Sequence, residues 1–330
     1  MKIAVIGGGS WGTTLANLAA KKGYEACLWV REQSLMAKIR SGRENTWYAP
    51  GVKLHEGLDA SIDPAYVLNG ADCVVLATPC QFMRSILLGL RDHFPKKPVV
   101  ICGSKGIELE TLCTMSEVVE QALTGLKPRF AMLSGPSFAL EVLREAPTAI
   151  VLGCADKKLG KELQGALSTD YFRVYTNTDV KGVELGGAIK NIIAIAAGVA
   201  DGLGFGSNAR AALITRGLAE MGRLGKAMGA KPETFMGLSG MGDLVLTCTG
   251  ELSRNRQVGL RLGQGQKLLD ILGQMKMVAE GVKTAEAVHA LGQKLKVELP
   301  ISTEVYNVLY GDKDPAQAVR ELMTRDLKDE

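Results

Sequence analysis

Short apolar runs alternate with helical patterns over the first half of the chain. The runs are rich in β-branched residues and predict strands near residues 2–6, 25–30, 72–77, 98–102, 130–134 and 147–153. Between these runs, residues 11–22 and 82–94 carry apolar side chains at helical spacing. Such alternation is typical of βαβ units, so we predict an α/β fold with a mostly parallel sheet.

The pattern changes at about residue 179, where the strand-like runs stop. Long segments rich in Ala, Leu, Ile and Gly follow, and they predict helices over 180–200, 208–229, 283–296 and 301–310. Glycine-rich loops are expected at 202–206, 237–242 and 263–265. The second half is therefore predicted to be all-helical.

Chain length and net charge limit the number of domains and the classes of binding partner that we expect. The chain has 330 residues, more than the roughly 250–300 at which a single hydrophobic core stops growing. We therefore predict two domains, 1–178 and 179–330, divided where the pattern changes. The net charge is only +4 and basic residues form no runs, which argues against a nucleic-acid or membrane-surface binder.

The residues that usually bind metals are scattered. None of the seven cysteines forms a Cys-x-x-Cys pair, and the three histidines are far apart, so we predict free thiols, a reducing compartment and no metal site. The longest apolar stretch, residues 188–200, spans 13 residues. A membrane-spanning helix needs about 20, so we predict no integral membrane segment.

A glycine motif stands at the end of the first predicted strand. Gly7, Gly9 and Gly12 fit the pattern G-x-G-x-x-G and open a helical segment. In Rossmann-type domains the first glycine permits a tight turn, the second admits a pyrophosphate, and the third lets helix and strand pack closely. The amides at the helix N-terminus then bind the anion. Because strand, glycines and helix follow in this order, we predict a Rossmann-type NAD(P)-binding domain rather than a plain glycine turn.

Arg31 stands at the end of the second predicted strand, where NAD-selective folds carry an acid that binds the adenosine ribose. An arginine at this position suits a 2′-phosphate, so NADP(H) should be accepted. The neighbouring Glu32 leaves NAD(H) possible, and the alternative is that Arg31 is only a solvated surface charge.

Two further predicted strands end in segments suited to ligand binding. Lys105 follows the strand near 98–102, and Gly135 and Ser137 follow the strand near 130–134. Open α/β sheets bind their ligands at the carboxyl ends of the strands. A surface lysine and an ordinary helix start are the alternatives.

Lys190 lies in the most apolar predicted helix of the second half. Desolvation disfavours an ammonium group, so we predict a lowered pKa, which a second cation such as Lys105 would lower further. A lysine of this kind can act as a general base on an alcohol and as a general acid on a ketone. The alternative is a lysine that extends out of an amphipathic helix into solvent.

An acid and a polar cluster are expected in a glycine-rich loop after residue 237. Asp243 could hold an ammonium group in place. Ser253, Arg254 and Asn255 suit an anion such as a phosphate, because a guanidinium can donate to two oxygens at once. A solvated helix start is the alternative for this cluster.

Six segments together give the chain a family resemblance. They are GGGSWGTTLA at 7–16, GSKGIE at 103–108, SGPSFALEV at 134–142, VELGGAIKNIIAIAAGVADGLGFGSNARAALITRGLAEM at 183–221, GDLVLTCTGELSRNR at 242–256 and VAEGVKTAEAV at 278–288. Over nearly its whole length the chain resembles the bacterial-type NAD(P)-dependent glycerol-3-phosphate dehydrogenases. A small departure is Gly8, where that family more often has alanine.

The resemblance implies roles for individual residues. It makes Lys190 the proton acceptor and Lys105 a contact to both cofactor and substrate. It implies substrate contacts at Lys105, Gly135, Ser137, Lys190, Asp243, Ser253, Arg254 and Asn255. It implies nucleotide contacts at Ser10, Trp11, Arg31, Tyr48, Lys105, Ala139, Arg254, Val278 and Glu280.

The resemblance also implies a reaction. A cytoplasmic homodimer would interconvert dihydroxyacetone phosphate and sn-glycerol 3-phosphate with NADP(H) or NAD(H), without a metal, and would supply phospholipid synthesis. Two alternatives stay open from the residues alone. One is a dehydrogenase of another 2- or 3-hydroxy acid, and the other is a regulator that binds NAD(P) without turning it over.

Overall fold

The chain forms two compact units. The computed structural model describes residues 1–327. The first unit comprises Met1–Lys105 and Cys113–Val183, and the second comprises Gly106–Leu112 and the chain from Glu184 onward. The domain boundary expected between residues 178 and 179 stays a prediction.

The described part of the first unit is built on an eight-stranded sheet. Its strands are β1 (Lys2–Ile6), β2 (Glu25–Trp29), β3 (Leu58–Ser61), β4 (Cys73–Leu76), β5 (Val99–Cys102), β6 (Arg129–Ser134), β7 (Thr148–Gly153) and β8 (Phe172–Asn177). They lie in the order β3-β2-β1-β4-β5-β6-β7-β8, and each neighbouring pair is parallel except β6 with β7. The predicted α/β fold is confirmed. The strand order reverses direction between β1 and β4, which is where doubly wound sheets bind ligands.

The two strands at the sheet edges, β3 and β8, were not among the predicted strands. In β8, Phe172 and Val174 are buried, whereas Arg173 and Tyr175 are exposed. Such a strand alternates between apolar and polar residues instead of forming a continuous apolar run. In β3, Asp59 interrupts an already short apolar pattern. Both strands therefore lack the signal that marks the central strands.

Seven helices lie within the described first unit. They are α1 (Ser10–Lys21), α2 (Gln33–Gly42), α3 (Pro64–Leu68), α4 (Met83–Leu90), α5 (Met115–Ala122), α6 (Ala139–Leu143) and α7 (Lys157–Leu167). The predicted helix over 11–22 corresponds to α1. The one over 82–94 corresponds to α4, which is flanked by 3₁₀ turns at Cys80–Phe82 and Arg91–His93.

From Glu184 onward, the regular secondary structure of the described residues is helical, as predicted. The helices of the second unit are α8 (Val180–Gly202), which begins in the first unit, α9 (Ser207–Ala227), α10 (Pro232–Phe235), α11 (Asp243–Thr249), α12 (Arg254–Gly263), α13 (Leu268–Gln274), α14 (Glu280–Leu295), α15 (Pro300–Tyr310) and α16 (Pro315–Met323). The four predicted helices correspond to α8, α9, α14 and α15. The loops expected at 202–206 and 263–265 begin at the last residues of α8 and α12.

The loop expected at 237–242 was a wrong prediction. Leu238–Gly242 forms a π-helical turn that continues into α11. A Cβ atom on Gly240 would lie 2.0 Å from the carbonyl oxygen of Phe235. The glycine therefore permits close backbone packing here and does not break the helix.

Helix α8 runs through the core of the second unit. Ile189, Ile192 and Ile193 are fully buried in its hydrophobic cluster. Among the described residues, α8 is the one helix long and apolar enough to cross a membrane, and 94% of its apolar window is buried inside the protein. Burial of that extent is typical of the core helix of a folded domain.

Glycines bring α8 and α12 into backbone contact. An added Cβ atom on Gly198 or on Gly259 would lie 2.0 Å from a carbonyl oxygen of the other helix. One turn further on, an added Cβ atom would lie 2.2 Å from the opposite backbone at Gly202 and 2.5 Å from it at Gly263. These positions leave no room for a side chain, so they fix how closely the two helices pack.

We expect Gly259→Ala to lower the free energy of unfolding by about 3 kcal/mol, because the new methyl group would overlap the backbone of α8. The matched control is Gly222→Ala in α9, where no described atom lies within 4 Å of the Cβ position. This control should gain about 0.5–1 kcal/mol from helix propensity. Urea unfolding of both variants measures the difference, and equal values would contradict the close packing.

Candidate active site

The glycine loop after β1 has the shape that a dinucleotide needs. Gly7 has a φ of +121°, a backbone conformation that favours glycine. A Cβ atom on Gly12 would lie 1.9 Å from the carbonyl oxygen of Gly7, so α1 begins in contact with the turn. At Gly9, no described atom lies within 4 Å of the Cβ position. The loop is therefore tightly packed on one side and open at its second glycine.

The N-terminus of α1 is suited to an anion. Gly9 is its N-cap residue, and a glycine has no side chain that could make a capping hydrogen bond. The first turn, which contains Ser10 and Trp11, carries no acidic residue. The helix dipole and the first amides of a helix favour a negative charge at this end. A pyrophosphate fits both the charge and the open space.

Trp11 packs against the end of β5. Its Nε1 atom would lie 2.7 Å from a Cβ atom on Gly103, so the indole depends on that glycine for its space. The Nε1 atom is buried, and no partner within residues 1–327 accepts its hydrogen. A buried donor of this kind beside the glycine loop is consistent with a role in ligand binding.

Lys105 is held by the turn after β6. Its Nζ atom donates to the carbonyl oxygen of Gly135 at 2.9 Å, and the Ser137 hydroxyl donates to the same oxygen at 3.0 Å. Gly135 has a φ of +123°, and a Cβ atom there would lie 3.1 Å from Ile150 Cα. The structure therefore brings together three residues that the sequence placed on two separate strand ends.

Three other predicted nucleotide contacts lie in the first unit. Ala139 begins α6, and its carbonyl oxygen accepts from the Thr14 hydroxyl of α1 at 3.3 Å. Tyr48 is half-buried in the turn after α2. The side chain of Arg31 is 75% exposed and lies 3.6 Å from the Glu32 carboxylate. An ion pair this exposed contributes little to stability, so Arg31 is available to a ligand.

A buried ion pair lies in the second unit. Lys190 on α8 is 6% exposed and Asp243 at the start of α11 is 1% exposed. The Lys190 ammonium donates to Asp243 Oδ1. Burial disfavours both charges, whereas their pairing favours both. The contact therefore holds Lys190 Nζ at a defined position, and the lowered pKa expected for this lysine stays a prediction.

Thr247 completes the surroundings of this ammonium. Its hydroxyl oxygen accepts from Lys190 Nζ at 2.9 Å, and the hydroxyl donates to the carbonyl oxygen of Asp243 at 2.6 Å. The next residue, Cys248, is fully buried, and burial raises the pKa of its thiol to about 12. The thiol therefore stays protonated and does not compete as a base.

The π-helical turn sets the position of Asp243. A Cβ atom on Gly186 of α8 would lie 2.6 Å from the carbonyl oxygen of Ser239 in this turn. The turn therefore packs directly on the backbone of α8, one helical turn before Lys190. Asp243 follows the turn as the first residue of α11, so the close contact brings its carboxylate to the ammonium.

The predicted anion cluster forms a helix start, not a loop. Ser253 is the N-cap of α12, and its hydroxyl oxygen accepts from the amide of Arg256 at 3.2 Å. Arg254 Nη1 donates to the carbonyl oxygen of Val278 at 2.7 Å. The cluster is thus a helix start, but Ser253 and Asn255 are buried and not solvated. Most of the guanidinium donors of Arg254 remain for a ligand.

Asn255 joins three helices. Its Nδ2 donates to Asn191 Oδ1 at 2.9 Å, and its Oδ1 accepts from the amide of Gly281 at 2.9 Å. Asn191 follows Lys190 on α8, and Gly281 follows Glu280 at the start of α14. The amide group of Asn255 is therefore largely occupied within the protein.

The predicted site residues fall into two groups. The residues of the first unit are Gly7, Gly9, Ser10, Trp11, Gly12, Arg31, Tyr48, Lys105, Gly135, Ser137 and Ala139. The residues of the second are Lys190, Asp243, Ser253, Arg254, Asn255, Val278 and Glu280. Since Lys105 and Lys190 belong to different units, the influence of one on the pKa of the other stays a prediction.

Sequence reasoning gave no role to Thr247 or Asn191. Thr247 lies four residues after Asp243, which places both on one face of a helix, so this spacing was the available signal. Within residues 1–327, no group of three His, Cys, Asp or Glu residues is placed to bind a metal ion.

A dinucleotide-shaped loop and a buried, ion-paired lysine are together typical of NAD(P)-dependent oxidoreductases. Comparison with known proteins agrees. Residues 2–160 match the family model of the NAD-dependent glycerol-3-phosphate dehydrogenase N-terminus, and residues 179–320 match that of its C-terminus. The chain belongs to the NAD(P)-dependent glycerol-3-phosphate dehydrogenase family.

Related glycerol-3-phosphate dehydrogenases are similar to this chain over their full length. The glycerol-3-phosphate dehydrogenase (NAD(P)+) of Solidesulfovibrio magneticus is 72% identical over 330 residues, with all of both chains covered. That of Maridesulfovibrio salexigens is 63% identical with the same coverage. The crystal structure of the glycerol-3-phosphate dehydrogenase of Coxiella burnetii superposes with a TM-score of 0.94 at 41% identity, covering 98% of this chain and 99% of that one.

We expect Arg31→Ala to raise the KM for NADPH about tenfold, because a charged hydrogen bond to the 2′-phosphate is lost. The KM for NADH, which lacks that phosphate, should change less than twofold or fall. Arg144→Ala, an exposed arginine of the same unit, is the matched control. Equal changes for both cofactors would show that Arg31 does not read the 2′-phosphate.

Proposed function

We propose that the chain catalyses the reversible reduction of dihydroxyacetone phosphate to sn-glycerol 3-phosphate, with Lys190 as its general acid and base. The observation that carries this proposal is the buried ion pair between Lys190 and Asp243. Burying a charged lysine in an apolar core costs free energy that its partners only partly offset, so a lysine kept there is expected to serve a function. A proton donor for a carbonyl oxygen is such a function.

When bound, the nicotinamide dinucleotide supplies the hydride that the ketone carbon accepts. The residues of the glycine loop fit its pyrophosphate, because Gly9 faces open space and α1 directs its amides there. Trp11 lies beside that loop, and Arg31 would bind the 2′-phosphate of NADP(H). Tyr48 and Ala139 would contribute contacts to the nucleotide, as would Val278 and Glu280.

Lys190 donates the proton in one direction of the reaction and accepts it in the other. As hydride reaches the ketone carbon, the carbonyl oxygen gains negative charge and takes a proton from the Lys190 ammonium, which becomes an amine. In the oxidation direction the amine takes the hydroxyl proton instead. Asp243 and Thr247 hold Nζ in place through both directions, since each contacts it. A positioned acid of this kind contributes about 10²–10⁴-fold to the rate.

The other charged residues position the substrate. Lys105, fixed by Gly135 and close to Ser137, would polarise the ketone and orient it. Arg254 would bind the phosphate with the guanidinium donors that Val278 leaves free. Ser253 and Asn255 lie at the same helix start. The Asn255 Nδ2 group donates one of its two hydrogens to Asn191, so the second could bind the substrate.

The family also supports the cellular setting that we propose. A phosphorylated small molecule is the substrate, and its product would enter phospholipid synthesis in the cytoplasm. We propose a homodimer, which light scattering on the purified protein would test. An NAD(P)H absorbance assay with dihydroxyacetone phosphate tests the reaction itself. A preference for a 2- or 3-oxo acid would support another dehydrogenase, and no oxidation at all would support a regulator.

We expect Lys190→Ala to lower kcat by about 10²–10⁴-fold, because the proton donor is removed. The Kd for NADPH, measured by fluorescence titration, should change less than about threefold, since the glycine loop is intact. Lys226→Ala, an exposed lysine of α9, is the control and should keep normal turnover. Near-normal kcat in Lys190→Ala would remove this residue from the mechanism.

We expect Arg254→Ala to raise the KM for dihydroxyacetone phosphate by about 10- to 100-fold, because a charged hydrogen bond to the phosphate is lost. The effect should shrink for a ketone without a phosphate group. Arg216→Ala, exposed on α9, is the control. An unchanged KM would place the phosphate at another residue.

A further inference from the structure

Asn45 lies beside the glycine loop without belonging to it. It is 0% exposed and stands in the segment between α2 and β3. Sequence patterns did not single it out, and the proposed mechanism does not use it. A fully buried carboxamide is costly unless its hydrogen bonds are satisfied, so its partners indicate what it does.

All the hydrogen-bonding capacity of the Asn45 side chain is used. Its Nδ2 donates to the carbonyl oxygen of Gly8 at 2.9 Å and to Thr13 Oγ1 at 2.7 Å. Its Oδ1 accepts from the amides of Trp47 at 3.3 Å and Tyr48 at 3.0 Å. A carboxamide offers two donors and one oxygen with two lone pairs. Since backbone amides only donate and a carbonyl oxygen only accepts, the amide can have one orientation.

The bond to Gly8 sets the direction of a neighbouring amide. No peptide bond among the described residues is cis, so the peptide between Gly8 and Gly9 is planar and trans. In such a peptide the N–H points opposite to the C=O. Because Asn45 holds the Gly8 oxygen on its own side, the Gly9 N–H points the other way. Gly9 is also the glycine whose missing side chain leaves open space.

We propose that Asn45 is a positioning residue for the dinucleotide pyrophosphate. It holds the Gly8–Gly9 peptide so that the Gly9 amide faces the anion, and Thr13 shares this task because its hydroxyl lies 3.5 Å from the Gly8 oxygen. Asn45 Oδ1 accepts from the Tyr48 amide, so the same side chain links the turn that contains Tyr48 to the glycine loop. This inference rests on the proposed function only in that the chain binds NAD(P)(H).

The proposal has a distinctive kinetic signature. The pyrophosphate is common to NADH, NADPH and ADP-ribose, whereas the 2′-phosphate and the nicotinamide are not. Loss of Asn45 should therefore weaken all three ligands by the same factor. The chemical step uses other residues, so kcat at saturating cofactor should stay within about twofold. A residue that only supports folding would lower the melting temperature without this pattern.

The test is Asn45→Ala in the full chain, with Kd measured by fluorescence titration for NADH and NADPH and by calorimetry for ADP-ribose. We expect an approximately tenfold rise for each ligand, because the Gly8–Gly9 peptide is no longer held and the hydrogen bond from the Gly9 amide to the pyrophosphate is weakened. The control is Asn69→Ala, an exposed asparagine of the same unit. Unchanged Kd values, or a rise confined to NADPH, would overturn the proposal. If the unaltered protein binds none of these ligands, the proposed function fails instead.

Thr13→Val provides a second route. Valine keeps the volume of Thr13 but removes the hydroxyl that contacts both Asn45 and Gly8. We expect a threefold to tenfold rise in all three Kd values. The double variant should show less than the product of the single effects, because both act on one peptide. If Asn45→Ala does not fold, Thr13→Val decides alone, and unchanged Kd values in it would overturn the proposal.

Discussion

The burial of the Lys190 ammonium is the constraint on which the second unit depends. Taking a charged group out of water costs several kcal/mol, and a single partner at good geometry offsets that cost only if the remaining donors also find acceptors. Asp243 supplies the opposite charge and Thr247 a second acceptor. Neither charged residue is tolerable alone at this depth, since each is nearly inaccessible to water. The fold therefore has to deliver both side chains together.

Close helix packing brings the side chains of Lys190 and Asp243 together. Lys190 and Asp243 are 53 residues apart in the chain, so their contact depends on how α8 meets the elements around it. Gly186 lets the π-helical turn before Asp243 touch the backbone of α8, and Gly198 and Gly259 let α12 do the same. Packed interiors do not deform smoothly. Contacts without intervening side chains consequently leave the ion pair little freedom to separate.

The sequence predicted what local patterns encode. Gly7, Gly9 and Gly12 have a fixed spacing after a strand, and Lys190 is a charged residue in an apolar helix, so the sequence alone singles out both. Thr247 and Asn45 were missed because their roles come from partners that only the folded chain brings near them. The same reason explains the π-helical turn, because a glycine that permits a close contact looks like a glycine that permits a loop. Edge strands β3 and β8 lack the apolar run that marks a central strand.

The two units handle charge in different ways. In the first, the glycine loop and the start of α1 offer backbone amides and a helix dipole, which are partial charges and need no counter-ion. In the second, a full charge is held by a full opposite charge. That pairing favours the ammonium form of Lys190, which is the form that donates a proton to a carbonyl oxygen. In the proposed reaction this ammonium donates its proton when the ketone is reduced, and the amine takes up a proton beside Asp243 when the alcohol is oxidised.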